Sequence, residues 1–186
     1  LARERVRAVV NIGLAGALTP SLECGDLIIA QEVRGRDSIC PTASLLKAAT
    51  RIQLQGSKIY AGTIITLDKI LCRASEKQQL AQQLSPGTIA CVDMESAAVA
   101  EVCQQLQTPC LIVRSISDRS AEDLPLDFNR CRKKAGNLDL FRLLFLALQQ
   151  PTSFYGLLEL RRRSRRSAEH LARFVEQLTR MGVEGI

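Results

Sequence analysis

The stretch "VDMESAAVAEVC", residues 92–103, closes an apolar run with acids and turns at once into an alanine-rich helical pattern. Asp93 and Glu95 stand at that junction. A second apolar run, "PCLIVRSIS", is also followed by an acid, Asp118, directly after Ser117. Carboxylates in such places serve in one of two ways. They favour a helix start through capping and the helix dipole, or they face a ligand held outside the carboxyl ends of the strands of an open α/β sheet. Arg114, inside the second run, would pair with one of the acids as a purely structural use of charge. Other chemistries are narrowed by composition. The single histidine, His170, falls in a polar helical pattern far along the chain, which argues against a histidine-based triad and against a zinc site. The seven cysteines are odd in number and contain no C-x-x-C pair. Cys91, Cys103 and Cys110 lie in apolar patterns and read as small core hydrophobes in a reducing cytoplasm. No metal and no cofactor is expected.

The elements that must position these acids follow from hydropathy. "VRAVVNIG" (6–13) is a continuous apolar run suited to a strand covered on both faces, and "LAGALTP" after it reads as a turn. Further strands are expected at 25–33, 58–66, 86–94 and 109–117. Helical patterns fill 73–84 and 95–107, the latter with Ala98, Val99, Val102, Cys103 and Leu106 along one face. Long helices are expected over about 135–149 and 153–181. Alternating strands and helices argue for a layered α/β domain with a largely parallel sheet. The runs at 86–94 and 109–117, joined by the helix from Glu95, read as a right-handed βαβ unit, so both acidic strand ends would share one edge.

The 186 residues suffice for one domain with a core, and 46% hydrophobic with 24% charged residues is ordinary for a globular chain. No apolar run has the length of a membrane span. The net charge of +6 is concentrated in "RRRSRR", residues 161–166. Arg161, Arg162, Arg163, Arg165 and Arg166 read as a solvated helix face or as a peripheral contact for acidic lipid. With 4% aromatic residues and none within the run, nucleic acid is not the expected partner.

"NIGLAGAL", "GDLIIA", "VDMESAAVAEVC" and "PCLIVRSISD" occur in an order and spacing that resemble the purine nucleoside phosphorylase and nucleosidase superfamily. The resemblance covers most of 6–118. "TLDKILCRASEK" (66–77) and the tail "DFNRCRKKAGNLDL" resemble its hopanoid-associated branch. The implied fold is a three-layer α/β/α arrangement around a central mixed, mostly parallel sheet, in a single domain over 1–186. The implied activity is cleavage of the bond between a purine and ribose. That reaction passes through an oxocarbenium-like sugar and an electron-rich departing base. By resemblance, Glu95 would accept hydrogen bonds from the ribose hydroxyls and Met94 would pack on the sugar. Asp118 would protonate or hydrogen-bond purine N7, with Ser117 orienting it. Ala15 and Gly16 would form the turn beneath the sugar, and backbone groups near Ile70 and Leu71 would grip the adenine edge. Asp93 is read as structural.

Phosphorylases of the family hold phosphate with an arginine and a serine, where this sequence has Asn11 and Leu14. That departure favours water as the nucleophile. The family's segment before "VRAVVNIG", with a glycine-rich turn and the glutamate that activates water, is not in residues 1–186, so the water-activating acid is expected to lie outside them. The hopanoid branch would act on an adenosylated triterpenoid lipid and release adenine. The alternatives are a methylthioadenosine/S-adenosylhomocysteine-type nucleosidase, a true phosphorylase, or a relative that only binds a nucleoside or a partner. A homo-oligomer is implied by resemblance.

Overall fold

The computed structural model describes residues 6–131 and 152–181. Its strands are β1 (Val9–Ala17), β2 (Leu27–Arg34), β3 (Ser38–Ile39), β4 (Ile59–Thr66), β5 (Ala90–Asp93) and β6 (Cys110–Asp118). The helices are α1 (Ala43–Ala49), α2 (Ala74–Ala81), α3 (Ser96–Gln105) and α4 (Thr152–Arg180), with a 3₁₀ turn at Phe128–Cys131. The helix expected over 135–149 lies outside the described residues.

Side chains alternate across the sheet, and each face meets its own helices. Ile28 and Ala30 of β2 and Ile112 and Ile116 of β6 pack with Ala97 and Ala100 of α3. Leu27 and Ile29, with Leu111 and Val113, pack on the other face against Leu45 of α1 and Leu171, Phe174 and Leu178 of α4. This period-2 division makes the layers. It also explains why β2 and β6 read as unbroken apolar runs: both of their faces are covered. β1, expected to be covered on both faces as well, instead exposes Val10, Ile12 and Leu14, so one of its faces is open.

The sheet closes on itself. β2 pairs with β4 and β4 with β5 in parallel, β5 pairs antiparallel with β1, β1 pairs in parallel with β6, and β6 returns antiparallel to β2. β3 extends β2 at one side. The longest ladders, β1 with β6 and β2 with β4, are parallel. The βαβ expectation fails here. β1 lies between β5 and β6, and the pairings make those two strands run in opposite directions. Their carboxyl ends still meet, for a different reason. β5 overlaps β1 only at the tips, through Gly16↔Val92 and Ala17↔Cys91, while Gly16 also registers with Asp118 of β6. The ends of three strands therefore converge at Gly16.

Two local expectations also change. "LAGA" is strand rather than turn, because β1 continues to Ala17 with a register shift between Ala15 and Gly16 that bends it. The buried stripe of α3 is Ser96, Ala97, Ala100 and Cys103, whereas Val102 and Leu106 are exposed. Small residues on that stripe allow close approach: a Cβ built on Gly35 would lie 2.5 Å from that of Ala97.

Candidate active site

A cavity of about 300 Å³ opens where the three strand ends meet. Its wall contains every residue expected from the sequence: Ala15 and Gly16 of β1, Ile70 and Leu71 of the loop after β4, Met94 and Glu95 after β5, and Ser117 and Asp118 of β6. It also contains residues with no local sequence signal for the role. Leu124 and Phe128 come from the segment after β6, and Leu160 and Ser164 from α4.

The two acids after β5 divide the alternatives between them. Asp93 is buried and fully used. It accepts from Ser96 N (3.1 Å) and Oγ (2.6 Å), from Thr66 Oγ1 (2.8 Å) and from Arg114 Nε (2.6 Å). It thus caps α3 and neutralises the buried arginine, as a structural acid would. Arg114 donates onward to Asn11 Oδ1 at 2.5 Å. Glu95 occupies the formal N-cap position, yet its side chain makes no capping bond. It is exposed on the cavity wall, and Asp93 has already done the helix-start work.

Asp118 is held at both oxygens. Ser117 Oγ lies 2.7 Å from Oδ1 and also 3.2 Å from the Ala15 carbonyl oxygen, while Lys77 Nζ lies 2.5 Å from Oδ2. A Cβ on Gly16 would come to 3.0 Å from Oδ2, so glycine lets β1 pass close beneath the acid without displacing it. Behind Ser117, Cys24 Sγ lies 3.4 Å from the Ser117 carbonyl oxygen. Burial pushes the Cys24 thiol up, away from a reactive thiolate.

The loop that carries Ile70 and Leu71 is fixed from outside the cavity. Asn129 takes a hydrogen bond from Ile70 N (2.9 Å) and gives one to the Ile70 carbonyl oxygen (2.8 Å). Lys69, at the mouth, pairs with Glu76 at 3.1 Å. Lys77 and Asn129 were missed by sequence reasoning. One sits in a polar helical pattern and the other in a polar tail, and neither setting marks a side chain that turns inward.

The remaining candidates lie elsewhere. His170 is buried in α4 rather than on its polar side, with Nδ1 2.8 Å from the Gly25 carbonyl oxygen. The arginine run is divided. Arg163 is half-buried and pairs with Glu122 (2.6 Å) and Glu159 (2.9 Å), Arg165 pairs with Glu169 (3.2 Å), and Arg166 reaches the Gly56 carbonyl oxygen at 3.4 Å. Arg161 and Arg162 are exposed. Arg163 therefore serves the fold itself. No described helix is long and apolar enough to cross a membrane. Among the described residues no group of three or more His, Cys, Asp or Glu side chains could hold a metal ion.

Residues 1–143 match the model of the phosphorylase superfamily. A 5′-methylthioadenosine/S-adenosylhomocysteine nucleosidase of Shewanella oneidensis is 32% identical over 167 residues, covering 78% of this chain and 70% of that protein. Its counterpart in Shewanella denitrificans is 34% identical over 152 residues, covering 71% and 65%. Among solved structures, the nucleosidase of the same name from Colwellia psychrerythraea, in complex with adenine, aligns with a TM-score of 0.61 and 27% identity, over 92% of this chain and 67% of that one. The family match runs through both acid-bearing strand ends, and the relatives it gathers are purine nucleosidases: the chain belongs to the phosphorylase superfamily, among its enzymes that cleave purine N-glycosidic bonds.

Proposed function

We propose that this site hydrolyses the N-glycosidic bond of an adenine nucleoside of the methylthioadenosine type and releases adenine. The observation that carries the reading is the division of labour at the strand ends. Asp93 lines the cavity too, but its oxygens are taken by Ser96, Thr66 and Arg114, which leaves Glu95 and Asp118 as the acids for a ligand. Glu95 reads the ribose hydroxyls and favours the positive charge that develops on the sugar. Asp118 delivers a proton to N7, so that the base departs neutral. Ser117 orients that carboxyl, Met94 packs on the sugar, Ala15 and Gly16 give it room, and the Ile70–Leu71 backbone meets the purine edge.

Water is the favoured nucleophile. At the positions where phosphorylases hold phosphate, Leu14 lines the cavity without a donor and the Asn11 side chain is engaged by Arg114. The relatives named above favour the methylthioadenosine-type substrate over the adenosylated lipid of the hopanoid branch. The test is adenine release from methylthioadenosine by the full-length gene product, with and without inorganic phosphate. Release that does not depend on phosphate is expected. Asp118→Asn is expected to lower it on the order of a hundredfold or more, with the fold intact by circular dichroism. Cleavage by Asp118→Asn at near the parent rate would remove Asp118 from the acid's role, and strict dependence on phosphate would make the protein a phosphorylase.

A further inference from the structure

One buried charge beside the cavity has no task in the reaction so far. Lys77, the fourth residue of α2, is 0% exposed. Its Nζ lies 2.5 Å from Asp118 Oδ2, 2.8 Å from the Arg119 carbonyl oxygen and 2.9 Å from that of Glu122. An ammonium has three N–H donors, and each has an acceptor here. Burying such a group is unfavourable unless it is paired and hydrogen-bonded. A tether from α2 to the 119–122 turn would not require the charge, since a neutral donor satisfies two carbonyls equally well. The third contact goes to one oxygen of the acid on the cavity wall.

We propose that Lys77 is the charge partner through which Asp118 acts as an acid, an inference that rests on the role given to Asp118 above. At rest the pair is an ammonium and a carboxylate, so Asp118 first takes up a proton from water as the nucleoside binds. When that proton passes to the base, the carboxyl O–H bond breaks and N7–H forms. The C1′–N9 electron pair leaves with the adenine, and negative charge appears on the carboxyl. The Lys77 ammonium already touches the oxygen that shares this charge, and the two side chains are only 1% and 11% exposed. Its attraction therefore grows as the proton leaves, which is the condition for lowering a barrier rather than merely binding. Ser117 holds the other oxygen, so the carboxyl cannot turn away. Lys77 touches neither base nor sugar and is a positioning residue.

The test compares two leaving groups in Lys77→Gln. Glutamine keeps two N–H donors for the Arg119 and Glu122 carbonyls and removes the charge. Methylthioadenosine needs its base protonated, whereas 4-nitrophenyl β-D-ribofuranoside releases 4-nitrophenolate, a stable anion that departs without an acid. Lys77→Gln is expected to lower kcat on methylthioadenosine about a hundredfold with KM little changed, and to leave hydrolysis of the nitrophenyl riboside within about threefold. Asp118→Asn should show the same split, with Lys77→Gln adding nothing in that background. Lys77→Met, which also removes the tether, reports how much of any loss is folding. Equal losses on both substrates, an unfolded Lys77→Gln, or parental kcat on methylthioadenosine would each overturn the proposal. In the last case the nucleosidase reading survives. A folded parent chain that cleaves the nitrophenyl riboside but releases no adenine would overturn both.

Discussion

Glu95 sits at a helix start without capping it, and that spare carboxylate is what distinguishes it from Asp93. Two residues apart, the acids meet different demands because β5 ends between them. Asp93 still belongs to the strand and points among Arg114, Thr66 and Ser96. Glu95 has left the strand and is exposed on the cavity wall. If its oxygens take the ribose hydroxyls, Glu95→Gln should slow a ribonucleoside strongly and hardly change an already poor 2′-deoxy analogue. The coupling between variant and substrate should be about 1–3 kcal/mol, as for partners in direct contact. Equal fractional losses on the two substrates would count against the contact. The sequence made both acids visible but left their roles to resemblance, because capping and ligand binding call for the same residue type at the same place.

At the scale of elements, the short 3₁₀ turn Phe128–Cys131 has a larger role than its length suggests. Asn129 clasps both backbone groups of Ile70 and so fixes the loop that lines the cavity with Ile70 and Leu71. Asn129→Ala leaves an N–H and a carbonyl of that loop without their partner, at a cost of about 1–3 kcal/mol for each if it stays buried. The expected result is a rise in KM for methylthioadenosine of roughly tenfold, with a smaller change in kcat. Unchanged KM would show that the loop is held without the clasp. β2 and β6 were legible because continuous apolar runs are what a doubly covered strand requires. The same kind of run in β1 marked a strand but misled about its cover, since Val10, Ile12 and Leu14 are exposed. The two-residue β3 and the seven-residue α1 are too short to show a period. The closure of the sheet was hidden as well, since strand direction leaves no mark on an apolar run. The carboxyl ends of β5 and β6 therefore meet although the two strands form no βαβ unit. Lys77 and Asn129 were hidden for a related reason: a polar residue in a polar stretch reads as solvated until tertiary packing turns it inward.

The molecule as a whole depends on a sheet that closes, and one carboxylate outside the cavity lining ties three of its strands. Glu32 of β2 is held by Arg34 Nε (2.9 Å), by Ser38 Oγ of β3 (2.6 Å) and by Thr63 Oγ1 of β4 (3.1 Å). It stands where the β2–β4 register shifts, between Ala30 and Glu32, and so pins the irregular part of the ladder. The Arg34 hydrogen bond, followed by that of Ser38, lowers its pKa from 4.5 to about 2. The folded-state value lies below the unfolded one. The stabilisation is therefore fully present above the unfolded value, and it is lost as pH falls through about 2. Arg34 is 40% exposed, so solvent screening reduces the effect to about 1 kcal/mol. Glu32→Gln should be less stable than the parent by about that amount at pH 7. The gap should narrow as the pH is taken from 4.5 towards 2. Urea unfolding of both proteins across this range checks it. A gap that stays constant down to the lowest pH would mean that the Glu32 charge does not hold the strands together. Adenine release at pH 7 should be nearly the same in the two proteins, because the strands that Glu32 joins meet the cavity only through the loop beyond β4.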